Sequence, residues 1–234
     1  WVAIADVAHF VRSGDAIDNE ARHRGNSTYF PDRVVPMLPD NLSGNLCSLH
    51  EGEKRACIVV KIKIDSVGNK ISHKFTRAVI QSWASLEYGE VQEVIDKGKG
   101  KPKVLDLVNT VIKPLYDAYS CLKISRKARS PLDLNLPERK IEIDEKGIVK
   151  DVRFKERLEA HKLIEEFMIL ANVCAAETLS YKKTPTIFRV HEEPDKEKIE
   201  ALRKTAVSVG LKLSKGQNIK ACLLYTSPSP RDEK

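Results

Sequence analysis

Cysteine pairing motifs, long apolar runs and internal repeats are all missing from this 234-residue sequence. Its five cysteines, Cys47, Cys57, Cys121, Cys174 and Cys222, show no CxxC or CxxH spacing. That disfavours a zinc site and a disulfide framework, and reads as free thiols in a reducing compartment. Membrane-spanning length is not reached by any apolar stretch, and no basic region followed by an apolar segment opens the chain. A cytoplasmic protein is the expectation. Without a repeat of fixed period, solenoids and propellers are set aside. What is present is globular: 41% hydrophobic and 31% charged residues, enough for one sizeable core. Forty Lys and Arg against thirty-three Asp and Glu give a net charge of +7, which favours a polyanion over a cationic partner, although a solvated basic face is the commoner meaning.

The chain is organised around Ser27 to Leu49, STYFPDRVVPMLPDNLSGNLCSL. Pro31, Pro36 and Pro39 forbid a continuous helix or central strand. Its apolar residues, among them Tyr29, Phe30, Val34, Val35, Leu42 and Leu46, predict an ordered loop that is not left in water. On these grounds it is equally a core-packing connector or a binding loop. Before it, WVAIADVAHFV reads as a strand covered on both faces, and Asp15 to Arg24 as a short helix capped by Asp15. After it, RACIVVKIKID and HKFTRAVIQSW predict a hairpin around SVGNK, one face core and the other partly basic. A helix from LEYGEVQEVIDKG stops at KGKGKPK, Lys97 to Lys103, which reads as a solvated linker before a phosphate site. Val104 to Ala128 carries helical spacing with a kink at Pro114, and a second hairpin turns at DEKG. The longest helix is expected over Lys155 to Tyr181, apolar on so broad a face that it should be buried. TPTIFRVH reads as a short strand, and Pro194 to Val209 as a surface helix with Pro194 at its first position. The class these elements make is α+β, a mixed β-sheet flanked by helices.

Several ordered blocks carry a family resemblance: IADVAHFV, G-x-x-I-D-x-E-A-x-x-R, STYFPDRVVPMLPDNLS, LCSL, GEKRA, AVIQSWASLEYGEVQ, RSPLDLNLPERKIEID and LEAHKLIEEFMILANVCAAE. Together they resemble the catalytic RNB domain of the ribonuclease II and ribonuclease R exoribonucleases, and the ribonuclease R side more than ribonuclease II. The resemblance implies a partial exoribonuclease catalytic domain over residues 1–220. Residues 221–234, ACLLYTSPSPRDEK, read as a non-native or disordered tail. YTSPSPRD invites confusion with the family motif TSPIRRY but lacks its isoleucine and second arginine, so Arg231 takes no catalytic role.

The family hydrolyses RNA from its 3′ end one nucleotide at a time, to nucleoside 5′-monophosphates, with Mg2+ held by aspartates spaced D-x5-D-x-D-D. That spacing does not occur in these residues; the resemblance places it upstream of Trp1. No catalytic residue and no metal ligand is therefore assigned, Asp6 and Asp18 are taken as structural, and these residues alone are expected to be inactive. What the resemblance does assign is positioning of a single-stranded RNA 3′ end by a monomer. Tyr29 corresponds to a tyrosine that stacks on the terminal base, and Tyr88 to one that limits strand entry. Glu165 corresponds to a glutamate near the terminal ribose, able to accept from a 2′-hydroxyl. Leu134 stands where ribonuclease II has a base-clamping phenylalanine. Without the resemblance, either tyrosine reads as core and Glu165 as an ordinary helix-surface residue. The competing class is a catalytically dead homologue that binds RNA or acts as a scaffold.

Overall fold

The computed structural model describes residues 1–129, 138–145, 147–187, 195–208 and 210. Leu134 and the 221–234 tail lie outside the described residues. Two compact units are present, a first from Trp1–Ser125 and Leu136–Thr178, and a second from the described parts of Arg126–Asn135 and Leu179–Lys234.

The first unit is built on a long antiparallel hairpin, β4 (Lys54–Ile64) and β5 (Lys70–Gln81). Alternating β-branched residues suit a pleated, half-buried surface, and the turn between the arms is fixed chemically. The Asp65 carboxylate accepts from the backbone amides of Val67 and Asn69 at 3.0 and 2.7 Å. Gly68 has φ +81°, and a Cβ there would fall 2.1 Å from the Cys121 carbonyl oxygen. Only glycine fits a turn pressed this closely on a neighbouring helix.

β1 (Val2–Ala5) adds to the other side of β4 in antiparallel register, Val2 opposite Val60 and Ala5 opposite Cys57. The strand expected over residues 1–11 is thus only four residues long and lies at a sheet edge, in the order β1-β4-β5. After it Asp6 donates its amide to Ala56 O, and Val7–Phe10 turn into a short helix, α1. α2 (Ala16–Arg24) follows as expected, with Asp15 accepting from the Asp18 amide as its cap.

α6 (Glu159–Tyr181) packs on one face of the hairpin. Ala171 and Cys174 meet Val60 in a core bordered by Val2, Ile62 and Phe75. Each large aliphatic side chain so buried contributes about 1.5–3 kcal/mol. At the edge of this core the Thr178 hydroxyl donates to Cys174 O at 2.8 Å, so its oxygen is left to accept from His73 Nε2, also at 2.8 Å. That places the His73 proton on Nε2 and leaves Nδ1 to accept from the Lys70 ammonium at 3.3 Å. Lys70 in turn pairs with Glu177.

The helix begins four residues later than its periodicity suggested, because β7 (Val149–Lys155) still pairs with β6 (Glu138–Ile143) through Lys155. It is also half-buried rather than buried, with Ile164, Met168, Ile169 and Val173 exposed.

A second core gathers Val94, Val104 and Ile112 from α3 (Tyr88–Lys97), α4 (Pro102–Asp106) and the segment leading into α5 (Lys113–Arg129). The expected kink at Pro114 takes the form of a π-helical turn, Val108–Ile112, immediately before it. Proline supplies no amide to Thr110 four residues back, and the chain adopts a wider turn there.

In the second unit, α7 (Lys196–Ser208) is capped by Asp195, which accepts from the Lys198 amide at 2.8 Å. It starts later than expected, and Pro194 lies outside the described residues. Residues 184–187 form no strand, and the rest of TPTIFRVH also lies outside the description. The strand pairs among the described residues are antiparallel, and the class is α+β.

Glu159, at the first turn of α6, joins that helix to α5. Its carboxylate accepts from Lys162 at 2.7 Å, from the Tyr119 hydroxyl at 3.0 Å and from Lys123 at 3.4 Å. The Lys162 hydrogen bond foremost holds its pKa below the ordinary 4.5, against the opposing effect of burial. A carboxylate lowered on folding stabilises the fold above its unfolded pKa, and that contribution disappears as pH falls through the lowered folded value. Glu159→Gln should therefore melt lower at neutral pH and lose part of the acid-side fall in Tm, read from thermal melts of both proteins between about pH 3 and 7.

Candidate nucleic-acid interface

The Ser27–Leu49 segment has more structure of its own, and more exposure, than its composition suggested. Thr28–Tyr29 (β2) and Val34–Val35 (β3) form a two-pair hairpin, and Asn41–Leu46 a π-helical turn. Pro31 follows Phe30 in the turn, where its fixed φ is suited, and the Phe30 amide donates to Arg33 O at 2.8 Å. Because the hairpin satisfies its own backbone, its side chains need not be buried. Tyr29 is 78% exposed, and Phe30, Val34 and Val35 are also exposed. Leu42 alone in this segment is fully buried. The Arg33 guanidinium lies over the Phe30 ring at 5.0 Å.

Three polar anchors hold this tip in place. Ser27 Oγ accepts from the Met37 amide at 2.9 Å. Arg24 donates to Pro36 O at 3.0 Å while paired with Glu20. Arg55, its side chain only 11% exposed, spans the far end. Its Nε donates to Asn45 O and Ser48 O at 3.2 and 3.1 Å, its Nη2 to Asn45 Oδ1 at 2.8 Å, and its Nη1 to Lys54 O at 3.1 Å. Neutralising carbonyls that would otherwise be stranded is what a guanidinium fork does well. Arg55→Ala should cost about 2 kcal/mol and open the 27–49 segment to protease, while Arg55→Lys, with no fork, should rescue little of it. Denaturant melts and limited proteolysis read both effects.

A second group of predicted residues gathers at the start of α6. Tyr88, the first residue of α3, is stacked on His161 with ring centroids 4.1 Å apart and planes at 19°. His161 and Glu165 are one helical turn apart on α6 and share a face. His161 Nδ1 accepts from the Leu158 amide at 3.2 Å, which orients the ring. Glu165 pairs with Arg157, a bond that leaves lone pairs free on the carboxylate. The α3 side chain Gln92 accepts from the Ala160 amide at 3.0 Å and so joins the two helices. Tyr88 and Glu165 are thus brought together through His161 and Arg157, two residues that sequence reasoning did not single out. His161 was findable, standing four positions before Glu165 in AHKLIEE. Among the described residues no ring contact or hydrogen bond joins Tyr29 to this group.

The paired glutamates divide their environments: Glu165 is half-buried, Glu166 only 4% exposed. Asp6, 2% exposed, is also buried. Its Oδ2 accepts from Arg77 Nε at 2.9 Å, and its charge adds to burial in raising the Cys47 and Cys57 thiols. Asp18 accepts from the Gly14 amide at 2.8 Å and pairs with Arg22. Both aspartates are engaged within the fold, Asp6 through Oδ2 alone, its buried Oδ1 having no hydrogen-bond partner among the described residues. Among the described residues no three His, Cys, Asp or Glu side chains gather in a way that could hold a metal ion. The described residues do not gather the carboxylates a magnesium site needs, and none is assigned hydrolytic chemistry. No helix among them is long and apolar enough to cross a membrane.

A family model described as "RNB domain" matches residues 1–229. Ribonuclease R of Escherichia coli is 36% identical over 232 residues, which is 99% of this chain and 27% of that protein. The structure of Mycoplasma genitalium RNase R in complex with ribose-methylated single-stranded RNA superimposes with TM-score 0.87 at 30% identity, over 95% of this chain and 35% of that one. Yeast Ssd1, a pseudonuclease, shares the fold at TM-score 0.69 and 18% identity, over 95% of this chain and 27% of that one. The chain spans about a third or less of the length of each of these relatives, and it belongs to the RNB-domain family.

Proposed function

We propose that these residues are the RNA-positioning part of a processive, magnesium-dependent exoribonuclease. It would take single-stranded RNA from its 3′ end and release nucleoside 5′-monophosphates. The observation that carries this reading is Tyr29, a ring held in water at the tip of an anchored loop. An exposed aromatic face on a pinned backbone loses little freedom on meeting a base, and any base offers it a π-surface. In this reading the Tyr88–His161 pair forms a wall that limits how far the strand enters. Glu165 accepts from a ribose 2′-hydroxyl with the lone pairs that Arg157 leaves free, so that RNA is distinguished from DNA. Support comes from the family, and from the M. genitalium relative having been captured with single-stranded RNA. The reading also takes the whole protein to be a cytoplasmic monomer whose magnesium is held by carboxylates outside these residues.

A second reading, a catalytically inactive RNA-binding or scaffold protein, is favoured by one observation: the fold is shared with a pseudonuclease. The aspartate spacing in the complete coding sequence separates the two. An intact D-x5-D-x-D-D supports the enzyme, and its loss supports the binder.

Two outcomes test the positioning roles. Tyr29→Ala should weaken binding of a short oligo(A) by about 1–3 kcal/mol, roughly 5- to 150-fold, while Tyr29→Phe keeps most of it. Glu165→Gln should narrow the preference for RNA over the matching DNA, measured by fluorescence anisotropy; an unchanged ratio would remove the ribose role. The 234 residues by themselves, supplied with Mg2+, should leave a labelled RNA intact on a gel, and metal-dependent shortening would contradict this assignment.

A further inference from the structure

The face of the β4–β5 hairpin opposite α6 changes character halfway along. Toward Arg55 it is covered: Cys57 and Val59 are buried, and Arg55 reaches across to Asn45 and Ser48. Two residues further, the same alternation puts Lys61 and Lys63 on that face, both exposed, with Lys74 and Ser72 as their cross-strand partners. Lys61 is paired directly with Lys74. Like charges opposite one another on a sheet are unfavourable, and no carboxylate among the described residues offsets this pair. None of Lys61, Lys63 and Lys74 has a carboxylate partner among the described residues, and Lys61 makes only a cation–π contact with the Trp1 ring, at 4.9 Å. A π-face leaves the positive charge uncompensated.

The contrast with the lysine-rich KGKGKPK segment sharpens the point. There the basic run is the conspicuous feature of the sequence, yet Lys97 pairs with Glu93, Lys101 with Glu90 and Lys103 with Glu51. The structure pairs three of the four lysines in the run that stands out in the sequence and leaves without carboxylate partners a set of lysines that sequence order separates. Alternate residues along a strand repeat at about 6.6 Å, so Lys61 and Lys63 form a row with Lys74 beside it.

We propose that this lysine ladder is a contact for the phosphate backbone of RNA, on a different element from the loop that carries Tyr29. It extends the RNA-binding reading above and rests on it for the identity of the polyanion. Lysines suit such a role because each is a flexible point charge that meets phosphate without reading sequence. Bound phosphates would also remove the Lys61–Lys74 repulsion that the free protein carries.

The test uses the whole chain, a fluorescein-labelled oligo(A) of about 20 nucleotides, and salt varied between about 50 and 200 mM. The variant in which Lys61, Lys63 and Lys74 are all changed to Gln should flatten the dependence of log K on log salt by about 2, three contacts at roughly 0.7 each. Wild type would then lose about 20-fold more affinity than the variant across that range. Lys74→Glu should show opposite signs in two readouts, a higher Tm because it replaces a like pair with an opposite one, and weaker RNA binding. An unchanged slope in the triple variant overturns the proposal. So does polyglutamate competing as strongly as unlabelled oligo(A) of equal charge, which would assign the ladder to an acidic protein. Tyr29→Ala keeps the two readings apart: it should lower affinity at every salt concentration without changing the slope. If it has no effect while the triple variant flattens the slope, base stacking at Tyr29 fails and the ladder stands.

Discussion

The antiparallel ladder between β4 and β5 carries the first unit, because each of its two faces is used by a different partner. α6 lies on one face through Val60, Ala171 and Cys174. The Asn45–Ser48 end of the loop is fastened to the other through Arg55. β1 closes one edge. Since the strands hold one register from Lys54 to Lys63, a slip by a single residue would exchange Val60 for Lys61 on the α6 face and put an ammonium into that core. The long alternating arms and the Asp65–Gly68 turn guard against it.

Polar chemistry then decides where the functional side chains stand. Tyr29 remains in water because β2 and β3 satisfy their own backbone and three anchors hold the ends. The pairing of Tyr88 with His161 depends on α3 and α6 being joined through Gln92. Glu159 fixes the start of α6 against α5. The aromatic and carboxylate groups proposed to meet RNA are thus held by hydrogen bonds from residues given no role in RNA binding. Such support is what precise positioning requires.

Charge is distributed in the same divided way. Glu51, Glu90 and Glu93 are spent on the lysine-rich linker, and Asp6 is buried against Arg77. The excess of basic charge in the composition consequently appears at particular places, the hairpin lysines among them, and not as an even coat. A polyanion approaching there would meet a localised field, which a net charge of +7 does not by itself predict.

Local patterns in the sequence were sufficient for the elements whose causes are local. Asp15 capping α2, the alternation of β4 and β5 around SVGNK, and the break before Pro114 all follow from neighbours within a few residues. The family motifs likewise marked Tyr29, Tyr88 and Glu165. Where the outcome depended on partners distant in sequence, it was decided only by the tertiary structure. β1 lies at the sheet edge and stops at Ala5 as the chain turns into α1, and α6 starts late because β7 still pairs with β6. The loop tip is exposed because its hydrogen bonds are internal, although its composition is apolar. His161 joins Tyr88, and Lys61 meets Lys74, only once helices and strands are assembled. Hydrophobic periodicity records which face of an element is covered, but not which residue covers it. A salt bridge or a stacked ring is a property of two positions that the linear chain does not bring together.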